Sequence, residues 1–299
     1  MKRIHKYLFI TFIVVFFVIA LEISLRIFWG FGKAPLYVES KQYEYIYVPN
    51  QEMKRFGVYF YVNSYSQRSH EPDNNKKKIL GLGDSVINGG SQTDHDSLAT
   101  SIVSSESEFQ MLNISAGSWG ADNCAAYLKE HGIFDAKAMF VVLSSHDVSD
   151  SMNFEPTVGV HKSYPKEQYS FAINEVIDRY IIPRLFKSST TIDPDEKVLK
   201  GIDKGEIFNK GWDELKDIAH NANIPLVVIL HAELSELKIG DYNEKGKMIE
   251  QWANNNNIKF IKDITFIKEE NYRDQIHINS SGQKVLADII MNELQSMSL

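Results

Sequence analysis

The chain has 299 residues, 43% of them hydrophobic and 24% charged, with a formal net charge of -7. Such proportions describe a globular protein with a full core, long enough for one large or two average domains. The acidic balance argues against nucleic-acid binding, since no basic stripe stands out, and the single cysteine, Cys124, excludes an intramolecular disulfide and argues against a cysteine–zinc site.

The N-terminus decides where the rest of the chain resides. Met1-Lys2-Arg3-Ile4-His5-Lys6 is basic, and from Tyr7 to Leu21 every side chain is uncharged and nearly all are apolar. Extended through Glu22 and Arg26 to Phe31, the run is long enough to cross a hydrocarbon core of about 30 Å, provided those two charges pair or snorkel at the outer interface. Spaced four apart, they share one helical face. The basic flank keeps the N-terminus in the cytoplasm and sends the remainder outward, to the periplasm or cell surface. A cleaved signal peptide is the competing reading, but no small-x-small site follows the apolar core, because Ala20 is succeeded by Leu, Glu and Ile. Residues 1–32 are therefore expected to be a basic flank and an uncleaved signal-anchor helix.

Residues 33–77 alternate in places, as in Tyr43 to Val48 and Gly57 to Val62, and read as short strands or an extended stalk packed on the domain. Residues 78–299 then alternate between short apolar runs and amphipathic stretches. Strands are expected at Ile79 to Leu82, Gln110 to Ile114, Ala138 to Leu143, Pro225 to Leu230 and Lys259 to Ile261. Helices are expected at about Ser97 to Ser107, Ala121 to His131, Glu206 to Ala222, Glu244 to Asn254 and Ser280 to Gln295. Ser280 and Gln283 have the spacing of a capping box at the start of the last of these. Alternation with right-handed crossovers predicts an α/β fold, a three-layer α/β/α sandwich on a mostly parallel five-stranded sheet of flavodoxin-like type. An insertion at about 148–205, carrying Pro156, Pro165, Pro183, Pro194 and a helical patch near Ala172 to Phe186, is placed to form a substrate rim or lid.

Two motifs carry chemistry. Gly83-Asp84-Ser85 ends the first core strand, where open α/β folds present reactive groups. Asp274-Gln275-Ile276-His277 precedes the last helix, and an Asp three residues before a His can hold the imidazole by one nitrogen while the other faces a serine. Their joint placement suggests acyl-ester chemistry with Ser85, His277 and Asp274 as nucleophile, base and orienter. His231 and Glu233 follow a strand on the same edge and are candidates for substrate binding. A metal site from them lacks any recognised ligand spacing, and no phosphate-cradling glycine loop exists, so neither metal nor cofactor is expected. Cys124 reads as buried filler on its helix, and Asn254 to Asn257 as a turn.

The chain resembles the SGNH (GDSL-like) hydrolase superfamily. Gly83-Asp84-Ser85 matches its first block and Asp274 with His277 its last. Leu112-Asn113-Ile114-Ser115-Ala116-Gly117-Ser118-Trp119-Gly120 looks like the second block, whose oxyanion-hole glycine falls on Gly117 or Ser118. The third block, usually Gly-x-Asn-Asp, appears as Ser144-Ser145-His146-Asp147, so His146 stands where the family places an oxyanion-donating Asn. An imidazole can keep that role. The alternative is a structural loop histidine bonded to Asp147. Arg68 resembles an Arg found upstream of the nucleophile in membrane-anchored members, with a structural salt bridge as its expected role.

The resemblance implies a serine-dependent esterase or O-acetyltransferase acting outside the cytoplasm. Its substrate would be an acylated polysaccharide or other ester, with water or a sugar hydroxyl as acceptor and a membrane acyl-donor protein as partner. The imperfect second and third blocks motivate the competing class, a catalytically inactive anchored module that binds glycan or assists assembly.

Overall fold

The structure is a computed structural model that describes residues 2–185, 208–297 and 299. Pro194, much of the expected insertion and the start of the helix expected from Glu206 lie outside the described residues. The apolar N-terminal run forms helix α1 (Lys2–Ser24), continued by one π-helical turn (Leu25–Trp29). Together, Arg3–Trp29 are long and apolar enough to cross a membrane, and the apolar window is not buried against the protein.

After α1, two antiparallel hairpins take up the short-strand alternative. Strand β1 (Tyr37–Ser40) pairs with β2 (Glu44–Tyr47), and β3 (Gln51–Arg55) with β4 (Val58–Val62). Their aromatic residues explain the close packing: Tyr37, Tyr43, Tyr45, Tyr47 and Phe60 are all buried in one core with Trp119 and Tyr127. The Trp119 indole donates to Tyr45 O at 2.9 Å, which gives the buried N–H its partner.

The central sheet is five-stranded and wholly parallel, in the order β6 (Phe109–Ser115), β5 (Lys77–Gly83), β7 (Met139–Ser144), β8 (Leu226–His231), β9 (Lys259–Lys262). Strands β5 to β8 are almost entirely buried, as runs of Val, Ile and Leu covered on both faces must be. One face carries the hairpins with α4 (Ala121–His131) and the helices at Gly211–Asn221 and Glu244–Asn255; the other carries α3 (Ala99–Glu106) and the C-terminal helix Ser280–Ser296. This is the three-layer α/β/α arrangement the alternation predicts. A short helix at Leu234–Ile239, absent from the sequence reading, follows β8.

The C-terminal helix starts differently from expectation. Its cap is Asn279, whose side chain accepts from Ser281 N at 2.9 Å and Gly282 N at 3.1 Å. Gln283 does not close a capping box with Ser280. It is fully buried, accepting from Ala99 N (2.9 Å) and donating to Val86 O (2.7 Å), and so ties the last helix to the start of α3 and to the turn after Ser85.

Candidate active site

Ser85 sits where β5 ends, on the first turn of a four-residue helix, α2 (Ser85–Asn88). Gly83 has φ +155°, and a Cβ there would overlap the Val142 carbonyl of β7, so only glycine lets the chain leave the sheet at this point. The Asp84 carboxylate accepts from Val86 N at 2.8 Å, capping the turn and fixing the serine beside it.

Across the cleft, His277 Nε2 lies 2.9 Å from Ser85 Oγ. His277 Nδ1 lies 2.8 and 3.0 Å from the two oxygens of Asp274, which also accepts from the backbone N–H of Ile276 (3.0 Å) and His277 (2.7 Å). Burial works to raise the Asp274 pKa, but the imidazole bond and the two backbone donors outweigh it and hold the carboxyl well below its usual range. An ionised carboxylate only accepts, so Nδ1 carries the ring proton and Nε2 is free to accept from the serine hydroxyl. The three residues set apart by the sequence thus meet in bonding order, from segments 192 residues apart.

The cleft has a volume of about 520 Å³ and is walled by Ser85, Gly117, Ser118, His146, Tyr164 and His277. Gly117 packs against the Tyr164 hydroxyl, and its carbonyl accepts from Tyr45 Oη (2.8 Å) and Tyr164 Oη (3.2 Å), so the first hairpin and the insertion both buttress this wall. Ser118 has φ +58°, a left-handed conformation that glycine adopts freely, and its Oγ lies 3.2 Å from Tyr164 Oη. The sequence alternatives Gly117 and Ser118 are therefore both on the cleft.

His146 also lines the cleft, on a turn that follows β7, but its main partner differs from the loop reading. Nδ1 is 3.1 Å from Glu233 Oε1, whereas Nε2 is 3.5 Å from Asp147 Oδ1, beyond a good hydrogen bond. Asp147 instead accepts from Ser144 N at 2.7 Å. Burial disfavours a charged His146 ring, yet Asp147, the Glu233 bond and Asp84 outweigh it and push its pKa up to about 10. Glu233 is lowered, chiefly by the same bond. Burial and Asp84 raise the Asp147 pKa while His146 opposes them, and by geometry the closer partner of the His146 ring is Glu233.

His231 and Glu233 do not line the cleft, which corrects the substrate-binding expectation. His231 is fully buried. Its Nδ1 lies 2.5 Å from Asp263 Oδ2 and its Nε2 2.8 Å from Ile276 O, the residue before His277. With an acceptor on each nitrogen the ring is an imidazolium; burial opposes that, but Asp263 and the carbonyl raise its pKa. Tyr272 stacks on the ring at 28° and its hydroxyl donates to Ala232 O. Asp263 and Tyr272 escape sequence reasoning, since only the position of Asp263 just after β9 hints at a place on this edge.

Among the described residues, Arg68 forms no salt bridge of the expected kind. It lies over the Phe60 ring, 3.8 Å from its centroid, and donates to Gly90 O (3.1 Å) and Thr93 O (2.9 Å), holding the loop that borders the cleft at Ser91 and Gln92. Burial lowers its pKa to about 10. Cys124 is buried, as expected of filler, and burial pushes its thiol well up. Among the described residues, two clusters bring ligand-type atoms together: His70, His95 and Asp96, and Asp84, His146 and Asp147. In the second, Asp84 already caps α2 and His146 already holds Glu233.

No protein-family model matches the chain and no curated protein matches it. Solved structures do. A member of the lipolytic protein G-D-S-L family from Veillonella parvula is 13% identical, with 74% of this chain and all of that chain covered and a TM-score of 0.44. A psychrotrophic esterase from Pseudoalteromonas sp. is 11% identical, with 74% and 98% covered and a TM-score of 0.40. A family two carbohydrate esterase from Clostridium thermocellum, in complex with cellohexaose, is 9% identical, with 75% and 65% covered and a TM-score of 0.41.

Proposed function

We propose that the chain is a serine-dependent esterase or O-acyltransferase of SGNH type, anchored by α1 with its cleft outside the cytoplasm. The observation that carries this reading is the chain of contacts from Ser85 Oγ to His277 (2.9 Å) and on to Asp274 (2.8 Å) at the open end of a parallel sheet.

In this mechanism His277 Nε2 takes the Ser85 proton as Oγ attacks the ester carbonyl. The oxyanion is held by the backbone N–H of Ser85, by that of Gly117 or Ser118, and by the Nε2–H of His146. An imidazolium fixed by Glu233 donates more strongly than the amide the family uses, which gives the departure in the third block a chemical sense. His277 then protonates the leaving alcohol. Water or a sugar hydroxyl, deprotonated by the same ring, then attacks the acyl-serine; the Ser85 Oγ–acyl bond breaks, Oγ recovers the proton from His277, and the acyl group leaves on the acceptor.

Around the nucleophile the cleft offers Ser91, Gln92, Asp150, Ser163, Arg273 and Gln275, a polar set suited to a hydroxyl-rich alcohol such as an acylated glycan. A membrane acyl-donor protein would serve the transferase form. In kinetics on a small acetyl ester, His277→Ala and Asp274→Asn should each lower kcat by about 10³–10⁴ with little change in KM. Near wild-type turnover by His277→Ala would overturn the triad, whereas absence of turnover by the folded wild-type chain would favour the inactive binding module.

A further inference from the structure

The outer end of α1 is fastened to the insertion by charged side chains. Glu22 accepts from the backbone N–H of Ala172 (2.8 Å) and Ile173 (3.0 Å), capping helix α5 (Ala172–Val176), and Arg26 pairs with Glu22 at 2.6 Å while donating to Ser170 O at 2.7 Å. Just beyond, Gly32 N donates to Glu175 at 2.6 Å, and the buried Arg55 pairs with Glu175 and donates to Gly30 O. Trp29 O accepts from Phe56 N at 2.9 Å. These bonds fix residues 171–185 at the level where α1 would leave a bilayer.

That segment runs on through a π-helical stretch (Ile177–Ile181) into α6 (Ile182–Leu185) and displays an apolar stripe. Ile177, Ile181 and Leu185, four residues apart, are exposed by 41%, 42% and 71%, and Phe171 by 58%; Ile27 and Phe28 at the end of the span are exposed as well. Of the two acids in residues 171–185, Glu175 is buried against Arg55 and Asp178 is paired with Lys162 at 2.7 Å, so no bare negative charge interrupts the face. An apolar stripe flanked by Lys162, Arg179 and Arg184 is the pattern of a helix lying in a lipid interface.

We propose that residues 171–185 rest in the outer polar–apolar interface of a phospholipid bilayer, as a second membrane contact beside α1. The inference rests on the membrane-anchored reading above and adds an orientation to it. A groove lined by Phe56, Arg179 and Tyr180 shares Tyr37, Ser91 and Ser163 with the catalytic cleft. With the helix on the bilayer, that groove opens at the membrane surface and leads to Ser85.

The test uses the full chain in phosphatidylcholine vesicles, with single cysteines placed at Val14, Ile181 and Lys137 and labelled with an environment-sensitive fluorophore. Cys124, the only native cysteine, is buried and escapes labelling. Lys137 stands before β7, at the sheet edge opposite the cleft, and serves as the aqueous control. Lipid spin-labelled near the glycerol should quench the probe in Ile181→Cys, with a blue-shifted emission, lipid spin-labelled deep in the acyl chain should quench that in Val14→Cys, near the middle of the span, and neither should change that in Lys137→Cys. Quenching in Val14→Cys without quenching in Ile181→Cys overturns the interfacial helix while leaving the anchor intact. Absence of quenching in both overturns the anchored reading and this inference together.

Discussion

Replacing His231 by Ala should cost stability and catalysis together. The substitution leaves the Asp263 carboxylate buried without its cation and Ile276 O without its donor. Removing one partner of a buried pair costs about 3–5 kcal/mol. Asp263 keeps the Ala232 N–H (2.8 Å) as a donor, since the single Tyr242 hydroxyl proton goes to Leu230 O at 2.7 Å, and a loss of about 3 kcal/mol or more is expected. That is a large part of a total stability of about 5–15 kcal/mol. Urea unfolding of the full chain in detergent, followed by tryptophan fluorescence, reads the loss directly. The pH dependence gives an independent check. His231 has a folded pKa raised above its unfolded value, so its contribution is complete below about pH 6.5 and fades as pH rises through the raised value. The stability gap between wild type and His231→Ala should therefore narrow toward alkaline pH. A loss below about 1 kcal/mol, or a gap that widens as pH rises, would refute the buried His231–Asp263 pairing.

Losing the His146 donor in His146→Ala should lower kcat/KM for a small acetyl ester by about 10²–10³-fold. Because its pKa is pushed up to about 10, the ring stays charged through neutrality, and any loss of activity that it imposes should appear only on the alkaline limb and vanish in His146→Asn. Gly83→Ala, with its Cβ against Val142 O and φ at +155°, combines backbone strain with overpacking and should cost about 2–6 kcal/mol in thermal or urea unfolding; wild-type stability would contradict the turn geometry. A reporter fused after Leu299 should be active only outside the cytoplasm, and the protein should stay with membranes through carbonate washing; release of a shortened soluble chain would indicate a cleaved signal peptide.

The five core strands are legible because strands covered on both faces must be apolar throughout, and Ile79 to Leu82 or Ala138 to Leu143 have no other reading in a chain that alternates with helices. Ser85, Asp274 and His277 are legible because strand ends and a local Asp-x-x-His spacing are written in order along the chain. What hides depends on partners distant in sequence. Gln283 has capping spacing yet bonds Ala99 and Val86, 184 and 197 residues away. Arg68 looks like half of a salt bridge, but its partners are a ring and two carbonyls. His231 and Glu233 lie on the right edge, and only the fold reveals that they hold Ile276 and His146 rather than a ligand. Residues 33–77 conceal their pairing because tyrosine alternation marks a strand without naming its neighbour.

The covalent acyl-serine is the most direct test of the proposed chemistry. Full-length protein mixed with an acetyl ester, quenched in acid within the first turnovers and digested, should yield the peptide containing Ser85 with one acetyl group added. That mass should disappear in Ser85→Ala and grow when deacylation is slowed. An unmodified Ser85 peptide while the ester is being consumed, or unchanged turnover by Ser85→Ala, would contradict the account.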